Sequence, residues 1–124
     1  MNSGVEAITT TSLSLALDAA TLRHQVIAAN IANAGSAGFV PRKASFEAHL
    51  ADSERVLQGV ARPLAPELQV RIEPDLTPGG QPRDVHVDAE VAAMAENNLH
   101  YQALVRALSR HLGVLASAVT EGKR

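Results

Sequence analysis

Apolar and small residues recur in steps of three and four at both ends of this chain, while prolines break the stretch between them. No other feature restricts the fold as strongly. Val87, Val91, Met94, Asn98, Tyr101, Val105, Leu108, Leu112, Leu115 and Val119 keep the spacing of a coiled-coil seam. At the other end Val5, Ile8, Ser12, Leu15, Ala19, Leu22, Val26 and Ala29 do the same, and Asn33 extends their register. Pro41, Pro63, Pro66, Pro74, Pro78 and Pro82, with Gly79 and Gly80, exclude a continuous helix between the two. The expected fold is mainly α, with long N- and C-terminal helices paired as an antiparallel coiled-coil hairpin and a short irregular or β-hairpin insertion between them. The parts would be an N-terminal helix in 1–35, a Pro/Gly-rich central segment in 36–86 and a C-terminal helix in 87–124, forming one domain.

Local signals refine this outline. The first helix is expected from about Val5 to Asn33, frayed at its start because Thr9, Thr10 and Thr11 are weak helix formers, and stopped by a left-handed Gly35. For the second helix Asp88 is the expected N-cap, with Glu90 in the first turn and Gly122, Lys123 and Arg124 at the close. Between them a brief amphipathic helix is expected from Ala44 to Leu57. Alternation in Leu68 to Ile72 and in Val85 to Val87 predicts a small β-hairpin across Thr77-Pro-Gly-Gly-Gln81.

Composition narrows the function classes. With 124 residues and 2% aromatic content, any core must be built from Ala, Leu and Val, which suits slender helix pairs better than a thick globule. Eleven Lys plus Arg against 13 Asp plus Glu leave no basic field to attract nucleic acid or anionic lipid. The absence of cysteine excludes disulfides, thiol catalysis and Cys-based zinc sites. Glu6, the polar run Thr9 to Ser12 and Asp18 interrupt anything like a secretory signal, and no apolar run is long enough to be inserted in a membrane.

Few residues suggest chemistry. Asp84, His86 and Asp88 would share one face of a strand as a candidate metal trio, but Asp88 is wanted as a cap and no fourth ligand is evident. His100 and His111 lie roughly 16 Å apart along a helix, too far for one ion. Glu96 and His100 make an exposed pair at i, i+4. Ser109 has Arg110 and His111 beside it, facing away on a helix, and Pro78-Gly-Gly80 lacks the lysine and helix start of a phosphate loop. No catalytic, cofactor-binding or metal site is expected, and the chain does not read as an enzyme.

Residues 28 to 39 read Ala-Ala-Asn-Ile-Ala-Asn-Ala-Gly-Ser-Ala-Gly-Phe, and Met94-Ala-Glu-Asn-Asn-Leu-His-Tyr-Gln-Ala-Leu-Val105 is followed by Leu108-Ser-Arg-His-Leu112. The first block resembles the signature that closes the N-terminal helix of bacterial flagellar rod and hook axial proteins. The C-terminal block is similar to the last helix of the FlgB-type rod proteins of that family. Ser36-Ala37 departs from the family's usual Thr-Pro before Gly-Tyr, and Phe39 stands for the Tyr, so the ring rather than the phenol is expected to matter.

The resemblance implies a structural subunit of the proximal rod of the flagellar basal body, a hollow periplasmic shaft that transmits torque and encloses the export channel. It implies self-association and, as partners, other flagellar rod proteins, the rod-to-ring junction protein, and the basal-body ring and export gate. It also implies passage through the flagellar type III export apparatus without a cleaved signal peptide. Assembly contacts are expected from Leu15, Leu22, Val26, Asn30, Ile31, Asn33, Gly38 and Phe39, and from Met94, Asn98, Tyr101, Val105, Leu108, Leu112 and Leu115. Asn30, Asn33 and Asn98 would carry amides across helix contacts and set register, as a buried Asn does in coiled coils. The rival class is a soluble helical adaptor that binds one partner through the same seam and never polymerises. A small metal-dependent enzyme on Asp84, His86 and Asp88 is a third.

Overall fold

A computed structural model describes residues 3–45 and 70–123, with side chains from Thr9 onward. Helix α1 (Ser3–Ala32) is followed by strand β1 (Arg42–Ser45), strand β2 (Arg71–Pro74) and helix α2 (Val87–Glu121). The protein is mainly helical: α1 packs against α2, and the two strands form a small antiparallel sheet between them in sequence. Asn30 of α1 approaches Glu90 of α2, whereas Ala20 meets Asn97, so successive contacts descend one helix and climb the other.

The core is thin because its material is small. Among the described residues Ala19, Ala20, Val26 and Ile27 form the buried apolar set, all on α1, joined by the buried amides Asn30 and Asn97. Alanine at 19 and 20 lets the α2 backbone come close, which brings Asn97 within hydrogen-bonding reach of a main-chain carbonyl. On α1 the expected seam residues Ser12, Leu15 and Leu22 are half-buried, while Ala29 is exposed. Val5 and Ile8 lie outside the described side chains.

Helix α1 runs unbroken through Thr9–Thr11 and ends at Ala32. Its stop differs from expectation: the left-handed glycine is Gly38, at φ +75°, not Gly35. The chain first turns through Ser36 N–H to Asn33 O and Phe39 N–H to Ser36 O, and only then needs the reversed φ that a glycine tolerates.

Helix α2 also starts differently. His86 is the N-cap residue, in extended conformation and without a side-chain cap bond, and Asp88 sits inside the first turn with Glu90. Their charges still meet the positive helix end, so Asp88 acts through the helix dipole in place of a cap. At the far end Gly122 is right-handed at φ −69°, and the last turn contains no cation.

The middle corrects the strand pairing. The turn at Thr77–Gln81 is present, held by Thr77 N–H to Gln81 O at 2.7 Å and Gly80 N–H to Thr77 O at 2.9 Å, with Gly80 at φ +78°. Beyond it only a bridge between Leu76 and Pro82, the bond from Arg83 N–H to Asp75 O, and an Arg83–Asp75 ion pair at 3.1 Å continue the hairpin among the described residues. Pro82 has no N–H to extend a ladder, so β2 pairs instead with β1, Arg42 opposite Pro74 and Ser45 opposite Arg71, and Val85 to Val87 is not its partner. Ala44 and Ser45 are therefore strand, in place of the start of the expected helix from Ala44 to Leu57; the rest of that stretch lies outside the described residues.

Candidate functional site

Asn30 is the structural hub. Its Oδ1 accepts from Arg42 N–H at 3.0 Å, and its Nδ2 donates to Arg42 O at 2.8 Å. The pairing follows from the ladder: Asp75 N–H donates to Pro41 O, so in an antiparallel pair the peptide groups of Arg42 face away from β2. The side-chain amide thus takes the place of a neighbouring strand at one residue and closes that edge. The second Nδ2 hydrogen points to Glu90 Oε2 at a long 3.5 Å, so one side chain, 3% exposed, links α1, the sheet and α2. Asn33 behaves otherwise, its Nδ2 donating to Ala29 O at 2.8 Å within its own helix.

Around this hub a shallow cleft of about 550 Å³ is lined by Val26, Gly38, Phe39, Val40, Ile72 and Pro74. Phe39 is half-buried there, so its ring packs without a hydroxyl. Leu15, Leu22 and Ile31 are half-buried along α1 and Val26 is buried, while Gly38 is exposed in the turn.

On α2 the seam is displaced by one row. Of the expected positions Met94, Leu108 and Leu115 are half-buried, Tyr101 stands at the rim, just on the exposed side, and Val87 in the first turn is exposed. The row that accompanies them against α1 is Glu90, Asn97, Leu104 and His111, with Asn97 only 4% exposed and donating Nδ2 to Ala20 O at 2.8 Å. The expected row of Val91, Asn98, Val105, Leu112 and Val119 lies outside the contact, with Val91 at 52% and Leu112 at 47% exposed. Asn97 is the buried amide that sequence reasoning missed in favour of its neighbour Asn98. The Asn97-Asn98 doublet was the available signal, because only one of two adjacent residues can occupy a given row.

A second open cleft, about 590 Å³, lies between the helices and is lined by Arg23, Ile27, Ala93, Glu96, Asn97 and His100. Among the described residues no three His, Asp or Glu side chains come together as a metal would require, so Asp84, His86 and Asp88 do not converge. Among the same residues no helix is long and apolar enough to cross a membrane. No protein-family model matches this chain, and no curated protein matches it in sequence.

Proposed function

We propose that this chain is a FlgB-type structural subunit of the flagellar proximal rod, joining its copies and the other rod proteins, the junction protein and the basal-body ring through its terminal helices. It works mechanically, passing torque along a hollow shaft, and does so without catalysis. In this reading the packed helices are an antiparallel coiled-coil hairpin, and β1, β2 and the turn at Thr77–Gln81 belong to a small outer or bridging element carried on it.

One observation carries the proposal: α2 presents an apolar row, Val91, Val105, Leu112 and Val119, beside the face that already packs on α1. Covering the exposed remainder of each side chain is worth about 1 kcal/mol, so the row offers a few kcal/mol per contact. That is comparable with the small net stability of a domain this size, which makes packing among neighbours a major part of what holds the helices in place. A surface that repeats without closing on itself builds a helical tube. The residue blocks that resemble the axial proteins decide which tube is proposed.

The test is genetic. Deleting the coding sequence is expected to abolish swimming and to leave cells without rods, with both restored by the unaltered gene. A deletion strain that swims normally would end the proposal. If the protein is instead recovered with one partner in a closed complex of fixed size, the adaptor reading replaces it.

A further inference from the structure

We infer that α2 has two alternative packing faces on α1, related by a turn of the helix about its own axis by one row, and that the face seen here is one of the two. The angle between adjacent rows of a seven-residue repeat is about 50°. Both faces share Met94, Tyr101, Leu108 and Leu115. They differ in the second row, which is Glu90, Asn97, Leu104 and His111 in the structure and Val91, Asn98, Val105 and Leu112 after the turn.

Three observations support this. First, the contact now in place buries polar atoms without partners: Asn97 Oδ1 and His111 Nε2 have none, and both belong to the row that faces α1. Second, the row excluded from the contact is the more apolar of the two, and it lies open with Val91, Val105 and Leu112 exposed. Third, the buried hydrogen bond between the helices, Asn97 Nδ2 to Ala20 O, belongs to the present face, and Asn98 carries the same side-chain amide on the other row. A turn of one row withdraws the Asn97 amide and brings the identical Asn98 amide to the contact line, where Ala19 and Ala20 leave the α1 backbone open to it. Leu104 and Val105 exchange in the same way, one aliphatic for another. The present face holds hydrogen bonds to Asn30 and Ala20, the other buries more apolar area, and neither has both.

The consequence is a change in what α2 shows to its surroundings. In the present rotation the exposed row is apolar and adhesive. After the turn Glu90, Asn97 and His111 face out, and the adhesive row is hidden against α1. The inference concerns the single chain and stands or falls apart from the rod reading.

The chain has no cysteine, so an introduced pair supplies the only thiols. Ala20→Cys is combined in three variants with Asn97→Cys, Asn98→Cys or Leu99→Cys, the last on a residue 69% exposed. Under mild oxidation at low concentration, intramolecular disulfide is expected to form in the first two at rates at least tenfold above the third. An Asn98 pair that closes no faster than the Leu99 pair overturns the inference, as does an Asn97 pair that fails to close. To exclude general loosening of the helices, Leu112→Asn is added to each pair; it lies outside the present contact. It is expected to slow closure of the Asn98 pair several-fold and leave the Asn97 rate unchanged, and an equal effect on both would overturn the two-face account.

Discussion

Leu112→Asp is expected to leave the free chain as helical and as thermally stable as before and to abolish its self-assembly. The side chain is about half exposed on α2 and belongs to the row that no other described element covers, so a carboxylate there stays in water in the free chain. In a shaft the same carboxylate would be taken out of water without a partner, at several kcal/mol, enough to cancel what the whole row contributes. Leu108→Asp is the matched contrast. Leu108 is half-buried on the row facing α1, so its replacement is expected to destabilise the free helix pair by about 2–4 kcal/mol, and assembly fails because the subunit is damaged. Circular dichroism melts of the two variants, with motility of complemented cells, separate these cases. Equal losses of monomer stability would show that the Leu112 row is already covered in the free chain.

Asn30→Ala is the second large effect, and it acts on the junction between the helices and the sheet. The substitution removes the acceptor for Arg42 N–H and the donor to Arg42 O, along with the approach to Glu90. Leaving two partly buried main-chain groups unpaired costs about 2 kcal/mol. Two strands of four residues have little stability of their own, so the loss falls on the whole β1–β2 pairing. Thermal unfolding should shift down by several degrees, and amides of Arg42–Ser45 and Arg71–Pro74 should lose protection together, while the Ala20–Asn97 contact persists. Asn30→Asp keeps the acceptor but turns a buried carboxylate toward Arg42 O and Glu90, so it is expected to cost at least as much as Asn30→Ala. An unchanged sheet in Asn30→Ala would mean that the side-chain amide does not hold the strand edge.

Much of the fold was legible because the helices announce themselves by length and spacing. The ends of α1 and α2 fall within a few residues of the positions read from periodicity, and Pro78-Gly-Gly80 marks its turn because Gly80 supplies a backbone angle other residues resist. The rotation of α2 was not legible. Apolar residues occupy more than one adjacent row, so periodicity alone favours Val91, Val105 and Leu112, whereas hydrogen bonds to Ala20 and Asn30 select the row of Asn97 and Glu90. The pairing of β2 with β1 is hidden for a related reason: the amide that seals the β1 edge comes from Asn30, in a different element, and local alternation carries no record of it. Asn30 itself stands out in the sequence as an interface amide, and it does bridge elements, although its principal partner is a strand backbone.

Burial is concentrated at one end of the helix pair. The buried residues of α1 run from Ala19 to Asn30, and Asn97 is the buried residue of α2, so nothing among the described side chains from Thr9 to Asp18, or on α2 beyond Asn97, is fully enclosed. Helical stretches held so lightly open readily, since tertiary packing rather than intrinsic propensity keeps most protein helices formed. Amide hydrogen exchange on the free and the assembled chain tests this most directly. The expected result is fast exchange in the free chain over residues 9–18 and 105–121, moderate protection around Ala20 and Asn97, and slow exchange along both helices once assembled. Uniformly slow exchange along both helices of the free chain would contradict the account, because it would show helices already complete without neighbours.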